Sequence, residues 1–403
     1  MHLTQVVEIN PNERTQEVLS NLSKISNGLY NSALYLNCKT YEAEQKFVFY
    51  EDMCKALKKN ELYSLLASQS TQAVLQKVEG GIKSFLKLRK NGHKGVEFPH
   101  YHKKDTEWMI LYKSQQIKIK KNRITLPMSL EYRKQTGISY ISFKIPKIRY
   151  KGPIQYIELF RIDGKWKAHL VFEVKESEQI KTPRKENLYI DLGIKNLATV
   201  WDGKKVTVYT GRKIASTTQY KDKKVAEINK TLATHGEKSS KEKRRCTTLA
   251  RVYAKQAIHA MTTEHVNKAK AEGKGIVIGD LNGIGDNMHF SKKVNQQNHQ
   301  WQYAEITRQY IYKCQMAGVR FRMANEKDSS KTCVLCGQEE KGRIYRGLYR
   351  CKLYNVIFNA DAGASLNIEK KYLRLPLPKG SGIGVVDAVA NPVVVYWNEQ
   401  RWT

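Results

Sequence analysis

Residues 188–209 read LYIDLGIKNLATVWDGKKVTVY, and this stretch carries the clearest structural signals in the second half of the chain. The apolar run 188–190 predicts a buried strand, and the strand ends at the carboxylate of Asp191. Two alternating runs follow, and the Asp202-Gly203 pair between them is a strong signal for a two-residue turn. The stretch therefore predicts a buried strand followed by an antiparallel hairpin.

The chain beyond this hairpin alternates between helical and strand patterns, as an α/β domain does. Helical spacing of apolar residues alternates with short apolar runs, and the second run ends at Gly279-Asp280. The predicted elements are basic helices over 219–271, a strand over 276–278, a helix over 297–316, a strand over 319–323 and a last helix through Leu366.

The first half of the chain predicts a helical segment enclosed by β structure. A short strand over 2–9 precedes a helical pattern, in which apolar residues recur at three- and four-residue steps. Between 108 and 174 the pattern changes to alternation broken by turn residues, which predicts an antiparallel β module. A charged linker over 175–186 joins the two halves, so the whole chain is expected to be a multidomain α+β protein.

The charge of the chain points to a polyanionic partner. Seventy Lys and Arg residues against 38 Asp and Glu give a net charge of +32, and the 403 residues include 23 tyrosines suited to stacking on unpaired bases. Tyr101, Trp108 and Tyr112 are stacking candidates, although core positions suit each of them better. No apolar segment predicts a signal peptide or a membrane span, and seven cysteines do not form a disulfide framework. We therefore expect a soluble cytoplasmic protein that acts on nucleic acid.

Three acids stand where a carboxylate is costly to bury. Asp191 ends a buried strand, Glu326 follows the strand over 319–323, and Asp361 opens the last helix. If they converge, they form an oxygen-ligand site for Mg²⁺, which supports phosphodiester hydrolysis. The alternatives are a turn acid at 191, a loop acid at 326 and a simple helix N-cap at 361.

Three motifs resemble those of TnpB, the transposon-encoded RNA-guided DNA endonuclease related to type V CRISPR effectors. Residues 190–199 (IDLGIKNLAT) are similar to the first RuvC motif of that family. Residues 329–337 (SSKTCVLCG) resemble the signature before its zinc ribbon, and residues 359–368 (NADAGASLNI) resemble its third RuvC motif. The resemblance implies an RNase H-like RuvC domain whose catalytic residues are Asp191, Glu326 and Asp361, with bound Mg²⁺.

The resemblance also implies a domain layout. The first half corresponds to a split β-barrel wedge domain that is interrupted by a helical recognition domain, and the second to a RuvC domain with an inserted zinc-ribbon-like knuckle that binds target nucleic acid. The expected segments are 1–10 (first wedge strand), 11–105 (helical recognition domain), 106–178 (wedge β-barrel), 187–330 (RuvC, including the helical hairpin 219–271), 331–356 (knuckle), 357–372 (last RuvC helix) and 373–403 (flexible tail).

The second RuvC motif departs from the family pattern. The family places Glu at the end of the strand over 276–278, where this chain has Gly279, which has no side chain to bind metal. Asp280 is adjacent, but strand alternation points it to the opposite face from residue 279. We therefore favour Glu326, which resembles the relocated Glu of some family members, and the remaining alternative is a dead site.

The zinc-ribbon motif is also incomplete. A four-thiolate zinc site needs two CxxC pairs, and the chain provides Cys333, Cys336 and Cys351 but Tyr354 in the fourth position. The site would therefore hold Zn²⁺ with three thiolates plus Glu339, Glu340 or water, or it would hold none.

By this resemblance the chain is an RNA-guided DNA endonuclease of a mobile element. Its partners would be a guide RNA, with one protein per RNA, and double-stranded target DNA next to a short flanking motif. The competing interpretations are a nuclease-inactive RNA-guided DNA-binding repressor on the same scaffold and a general RNA-binding protein with no DNA target. Gly279 and Tyr354 favour the repressor, whereas the presence of both Asp191 and Asp361 argues against it.

Overall fold

The computed structural model describes residues 1–180, 182–193, 195–281, 303–325, 331–338, 343–345, 347–375 and 383–403. The chain divides into two compact units, Met1–Lys175 and Glu176–Thr403. This boundary falls at the start of the charged linker that the sequence predicts.

The first unit contains a helical segment between its first and second strands. The helices of this segment are α1 (Glu13–Glu44), α2 (Tyr50–Ala56), α3 (Glu61–Leu65) and α4 (Ser68–Lys90). A fifth helix of the unit, α5 (Leu130–Thr136), comes later in the chain. Asn12 caps α1 by accepting a hydrogen bond from the Thr15 N–H, as short polar side chains do at helix starts. The predicted apolar stripe of α1 is buried, including Leu19, Leu22 and Leu29.

The strands of the first unit form two antiparallel sheets. They are β1 (His2–Glu8), β2 (Ile110–Lys113), β3 (Lys118–Lys120), β4 (Arg123–Pro127), β5 (Tyr140–Lys144), β6 (Ile154–Ile162) and β7 (Lys165–Glu173). One sheet has the order β1-β7-β6-β2 and the other β3-β4-β5. Because β1 pairs along its length with β7, the first strand of the chain completes a sheet that the helices interrupt in sequence. Closure of these sheets into a barrel stays a prediction.

The second unit is built on a six-stranded sheet of order β12-β11-β8-β9-β10-β16. Its strands are β8 (Asn187–Asp191), β9 (Asn196–Trp201), β10 (Val206–Thr210), β11 (Gly275–Asp280), β12 (Phe321–Asn325) and β16 (Val393–Val395). A smaller sheet holds β13 (Arg343–Tyr345), β14 (Leu348–Cys351) and β15 (Val356–Asn359). The helices are α6 (Arg212–Thr234), α7 (Lys241–Ala271), α8 (Tyr303–Ala317), α9 (Ala360–Leu373) and α10 (Ile383–Ala390).

Helices cover both faces of the large sheet, which is why its central strands read as continuous apolar runs. On one face Ile190 and Ile278 share a core cluster with residues of α7 and α8, such as Met261 and Ile306. On the other face Tyr189, Val277 and Ala324 share a cluster with residues of α9, such as Leu366 and Ile368. Side chains alternate along a strand, so residue parity assigns each position to one of the two faces.

The tail departs from the loosely ordered segment that the sequence led us to expect. Within the described residues 383–403 it forms α10 and then β16, which pairs in parallel with β10. Trp397 and Trp402 then pack into the core of the second unit, and the Trp402 indole N–H donates to the Ala257 carbonyl oxygen at 3.1 Å. The two buried tryptophans and the backbone pairing of β16 hold this part of the tail, whereas Val393 and Val394 are themselves exposed.

Among the described residues, no helix is both long and apolar enough to cross a membrane.

Candidate functional site

Asp191 is the last residue of β8 and is buried, with 8% of its surface exposed. It pairs in register with Thr199 of β9 and has the parity of Tyr189, so it lies on the face of the sheet that α9 covers. The turn into β9 is tight, because the Gly193 N–H donates to the Asn196 carbonyl oxygen at 3.1 Å. A Cβ at position 193 would lie 3.0 Å from that same oxygen, so glycine suits this turn.

Asp361 lies in the first turn of α9, and Asn359 is the N-cap of that helix. The Asn359 Oδ1 accepts hydrogen bonds from the backbone N–H groups of Asp361 and Ala362, at 2.9 and 3.0 Å. The interpretation of Asp361 as a simple N-cap is therefore wrong, because its neighbour two positions earlier performs that role.

Asn196 links Asp361 to the strand pair that carries Asp191. Its Nδ2 donates a hydrogen bond of 2.7 Å to Oδ2 of Asp361. Asn196 opens β9 and Asp191 closes the antiparallel β8, so both acids lie at the same end of this strand pair, where α9 packs on both strands. Asn196 stands inside the 190–199 motif but was not predicted as a site residue, because an amide at the start of a strand carries no signal of its own.

Gly279 comes level with Asp191 across the sheet. The parallel register of β11 and β8 pairs Ile278 with Ile190, and position 279 has the parity of Val277, on the α9 face. Asp280 is exposed and has the parity of Ile278, on the opposite face, as strand alternation predicts.

The third acid of the sequence prediction, Glu326, lies outside the described residues. The strand before it, β12, is parallel to β11 and pairs Ala324 with Gly279 and Asn325 with Asp280. It therefore ends at the same edge of the sheet as β8 and β11.

Cys333, Cys336 and Cys351 form a compact cluster. Their sulfur atoms all lie within 4.8 Å of one another, with Cys333 and Cys351 buried and Cys336 half-buried. Burial raises the pKa of the Cys333 thiol to about 12, and a coordinated cation has the opposite effect on a thiol. Three sulfur ligands this close together fit one soft divalent cation such as Zn²⁺.

The predicted fourth zinc ligand stays a prediction. Tyr354 is 44% exposed in the turn between β14 and β15, and Glu339 and Glu340 lie outside the described residues. Within the described chain the cluster thus offers three ligands and leaves one coordination position to another donor.

The α6–α7 hairpin provides a basic surface. α6 buries Ile228 and Leu232, while the first half of α7 exposes most of its charged side chains to solvent. The exposed basic residues of α7 in this stretch are Lys241, Arg244, Arg245, Arg251 and Lys255. Such a surface suits contact with phosphate groups.

The three stacking candidates differ in exposure. Tyr112 is fully buried, and Trp108 is half-buried against the rings of Tyr30 and His102, with ring centroids 4.9 and 5.0 Å away. Tyr101, in contrast, has half of its surface exposed. Tyr112 is therefore a core residue, and of these three Tyr101 is the ring most available to a base.

Comparison with known proteins gives two family matches, which together span residues 169–289 and 303–368. Residues 169–289 match the OrfB_IS605 family model, described as a probable transposase, and residues 303–368 match the Cas12f1-like TNB domain. No curated protein matches the chain.

A solved Cas12f1 structure is similar to this chain in fold. A cryo-EM structure of a Cas12f1–sgRNA–target DNA complex aligns with a TM-score of 0.62 at 16% identity, covering 89% of this chain and 83% of that one. A mini-RNA-guided endonuclease, CRISPR-Cas_phi3, aligns with a TM-score of 0.45 at 10% identity, covering 95% and 93%. The Cas12f1 alignment shows a shared fold, and the family matches, which span most of the second unit, confirm that the chain resembles the TnpB family and its Cas12f relatives.

Proposed function

We propose that this protein is an RNA-guided DNA endonuclease of a mobile element. The observation that supports the proposal is that Asn196, which opens β9 at the end of the strand pair where Asp191 closes β8, donates a hydrogen bond to Asp361. Both acids lie in segments that match the transposase and Cas12f1-like family models.

The proposed reaction is hydrolysis of a DNA phosphodiester. Asp191 and Asp361, joined by Glu326, would supply the oxygen ligands that Mg²⁺ prefers. Bound Mg²⁺ would supply water activation and stabilisation of the leaving oxygen. Asn196 holds Oδ2 of Asp361 at 2.7 Å, so it fixes the direction in which that carboxylate presents its oxygens. Asp191 is part of a buried strand. Little conformational entropy would therefore be lost when its carboxylate binds a metal ion.

The proposed partners are a guide RNA and double-stranded DNA, as in the Cas12f1–sgRNA–target DNA complex whose fold is similar. Guide pairing would read the target, and the first unit would read a short flanking motif. The basic surface of α7, together with the net charge of +32, would contact the phosphate backbones, so binding would weaken steeply with salt. Cys333, Cys336 and Cys351 would hold a structural Zn²⁺.

The test is cleavage by the protein co-expressed with the RNA of its own element. A plasmid library with a matched target and randomised flanking sequence is incubated with the purified complex and Mg²⁺. We expect cleavage by the wild type, and its loss in Asp191→Asn, Asp361→Asn and Glu326→Gln without loss of DNA binding. Asp280→Asn is the matched control, because Asp280 ends a neighbouring strand but has the parity of the opposite face.

Each other outcome contradicts a stated part of the proposal. Cleavage lost in Asp280→Asn but kept in Glu326→Gln would move the third ligand to the second motif. Binding to matched DNA without cleavage by the wild type would make the protein a nuclease-inactive repressor. RNA binding without any DNA target would leave a general RNA-binding protein.

A further inference from the structure

Two side chains of α9 hydrogen-bond the backbone of the CxxC loop. The Asn367 Nδ2 donates to the Thr332 carbonyl oxygen at 2.8 Å, and the Lys370 Nζ donates to the Val334 carbonyl oxygen at 2.7 Å. These two carbonyl groups belong to the residues on either side of Cys333. Asn367 and Lys370 are three positions apart, so they project from one side of the helix and both hydrogen-bond the same loop.

The same side of α9 also packs closely against the loop. Gly363 lies one turn before Asn367, and a Cβ at this position would be 2.8 Å from the Phe358 ring and 3.5 Å from a methyl carbon of Val334. Val334 itself is fully buried. The helix and the cysteine loop therefore form one packed unit, in which neither can shift without disturbing the other.

Other side chains of α9 fasten the helix to β9. Asp361 accepts the hydrogen bond from Asn196, and eight residues later the Glu369 Oε2 accepts one from the Trp201 indole N–H at 2.8 Å. The helix that carries Asp361 is thus held by β9 near both ends and by the cysteine loop over its second half.

We propose that the cysteine cluster controls the position of Asp361 through α9, with Asn367 and Lys370 as positioning residues. A soft divalent cation held by Cys333, Cys336 and Cys351 would fix the conformation of the CxxC loop, since metal binding is coupled to local folding. The fixed loop presents the Thr332 and Val334 carbonyl oxygens to the helix, and the helix holds Asp361 at the sheet edge. This inference rests on the proposed nuclease function for its consequence, but the coupling itself is a property of the protein alone.

The test follows amide hydrogen exchange of residues 360–373 in the protein–RNA complex, loaded with Zn²⁺ or stripped by a chelator. Lys370→Met keeps the aliphatic stem and removes the donor, and Arg374→Met is the control at an exposed position just past the helix. Zinc removal should speed exchange of this helix in the wild type. With zinc retained, Lys370→Met should speed it about tenfold, as the loss of one charged hydrogen bond predicts, and Arg374→Met should not.

Parallel cleavage assays connect the coupling to the reaction. In Lys370→Met we expect the Mg²⁺ concentration for half-maximal cleavage to rise while zinc content and DNA affinity stay at wild-type levels. The inference is overturned if the wild type binds no zinc, if zinc removal leaves helix exchange unchanged, or if Lys370→Met behaves like Arg374→Met. A wild type that never cleaves DNA would refute the proposed function instead, and the exchange data would still decide the coupling.

Discussion

Removing the Asn196 amide should lower the rate of DNA cleavage without weakening DNA binding. In Asn196→Ala, Oδ2 of Asp361 loses a donor that lies 2.7 Å away. A hydrogen bond to a charged group contributes about 1.5–3 kcal/mol. If that energy serves to orient the carboxylate for reaction, its loss corresponds to a fall in cleavage rate of roughly 10- to 150-fold.

The assay is single-turnover cleavage of a matched target with saturating guide RNA, repeated over a range of Mg²⁺ concentrations. We expect a lower maximal rate and a higher half-saturating Mg²⁺ concentration, because a misoriented carboxylate is a poorer ligand. Asn391→Ala is the matched control, since Asn391 makes an Asn–Asp hydrogen bond of 2.8 Å to Asp387 at an exposed position of the same unit. That control should cleave at the wild-type rate.

A second substitution separates positioning from simple loss of structure. Asn196→Asp keeps the shape of the side chain but places a second carboxylate against Asp361. Because the two like charges repel, we expect Asn196→Asp to cleave more slowly than Asn196→Ala at neutral pH. Wild-type kinetics in both Asn196→Ala and Asn196→Asp, at every Mg²⁺ concentration, would refute the positioning role of this amide.

Three further predictions concern stability. His265 is fully buried, with its Nδ1 2.5 Å from the Tyr310 hydroxyl, and burial lowers its pKa to about 3 from an ordinary 6.5. Below pH 6.5 the unfolded chain therefore binds more protons than the folded chain. The contribution of neutral His265 to the free energy of unfolding is complete above pH 6.5 and falls by about 2 kcal/mol on going to pH 5. His265→Phe should flatten this pH dependence in urea unfolding curves. Trp402→Ala should lower the free energy of unfolding by about 3–5 kcal/mol, and with it the midpoint of thermal unfolding. The control Tyr396→Ala, at an exposed position, should change that midpoint little. Gly363→Ala should cost about 1–3 kcal/mol by overpacking against Phe358, measured by urea unfolding, and a neutral result would contradict the close packing of α9.

The local elements of secondary structure are predictable from the sequence alone. Continuous apolar runs, the Asp202-Gly203 turn and helical spacing predicted the strands, the hairpin and the long helices, because these signals act over a few neighbouring residues. Strand alternation alone also predicted that Asp280 and residue 279 lie on opposite faces, since period two is a property of any strand. The excess of positive charge pointed to nucleic acid, because net charge depends on composition and not on how the chain folds.

Which distant residues come into contact depends on tertiary packing. Asn196 and Asp361 are 165 positions apart, and the bond between them depends on how α9 packs across β8 and β9. The hydrogen bonds from Asn367 and Lys370 to the cysteine loop depend on the same packing. The burial of Trp402 beside Ala257 depends on how the tail packs. Such contacts arise when distant segments bury apolar surface together, and no local pattern encodes which polar groups that burial brings within hydrogen-bonding distance.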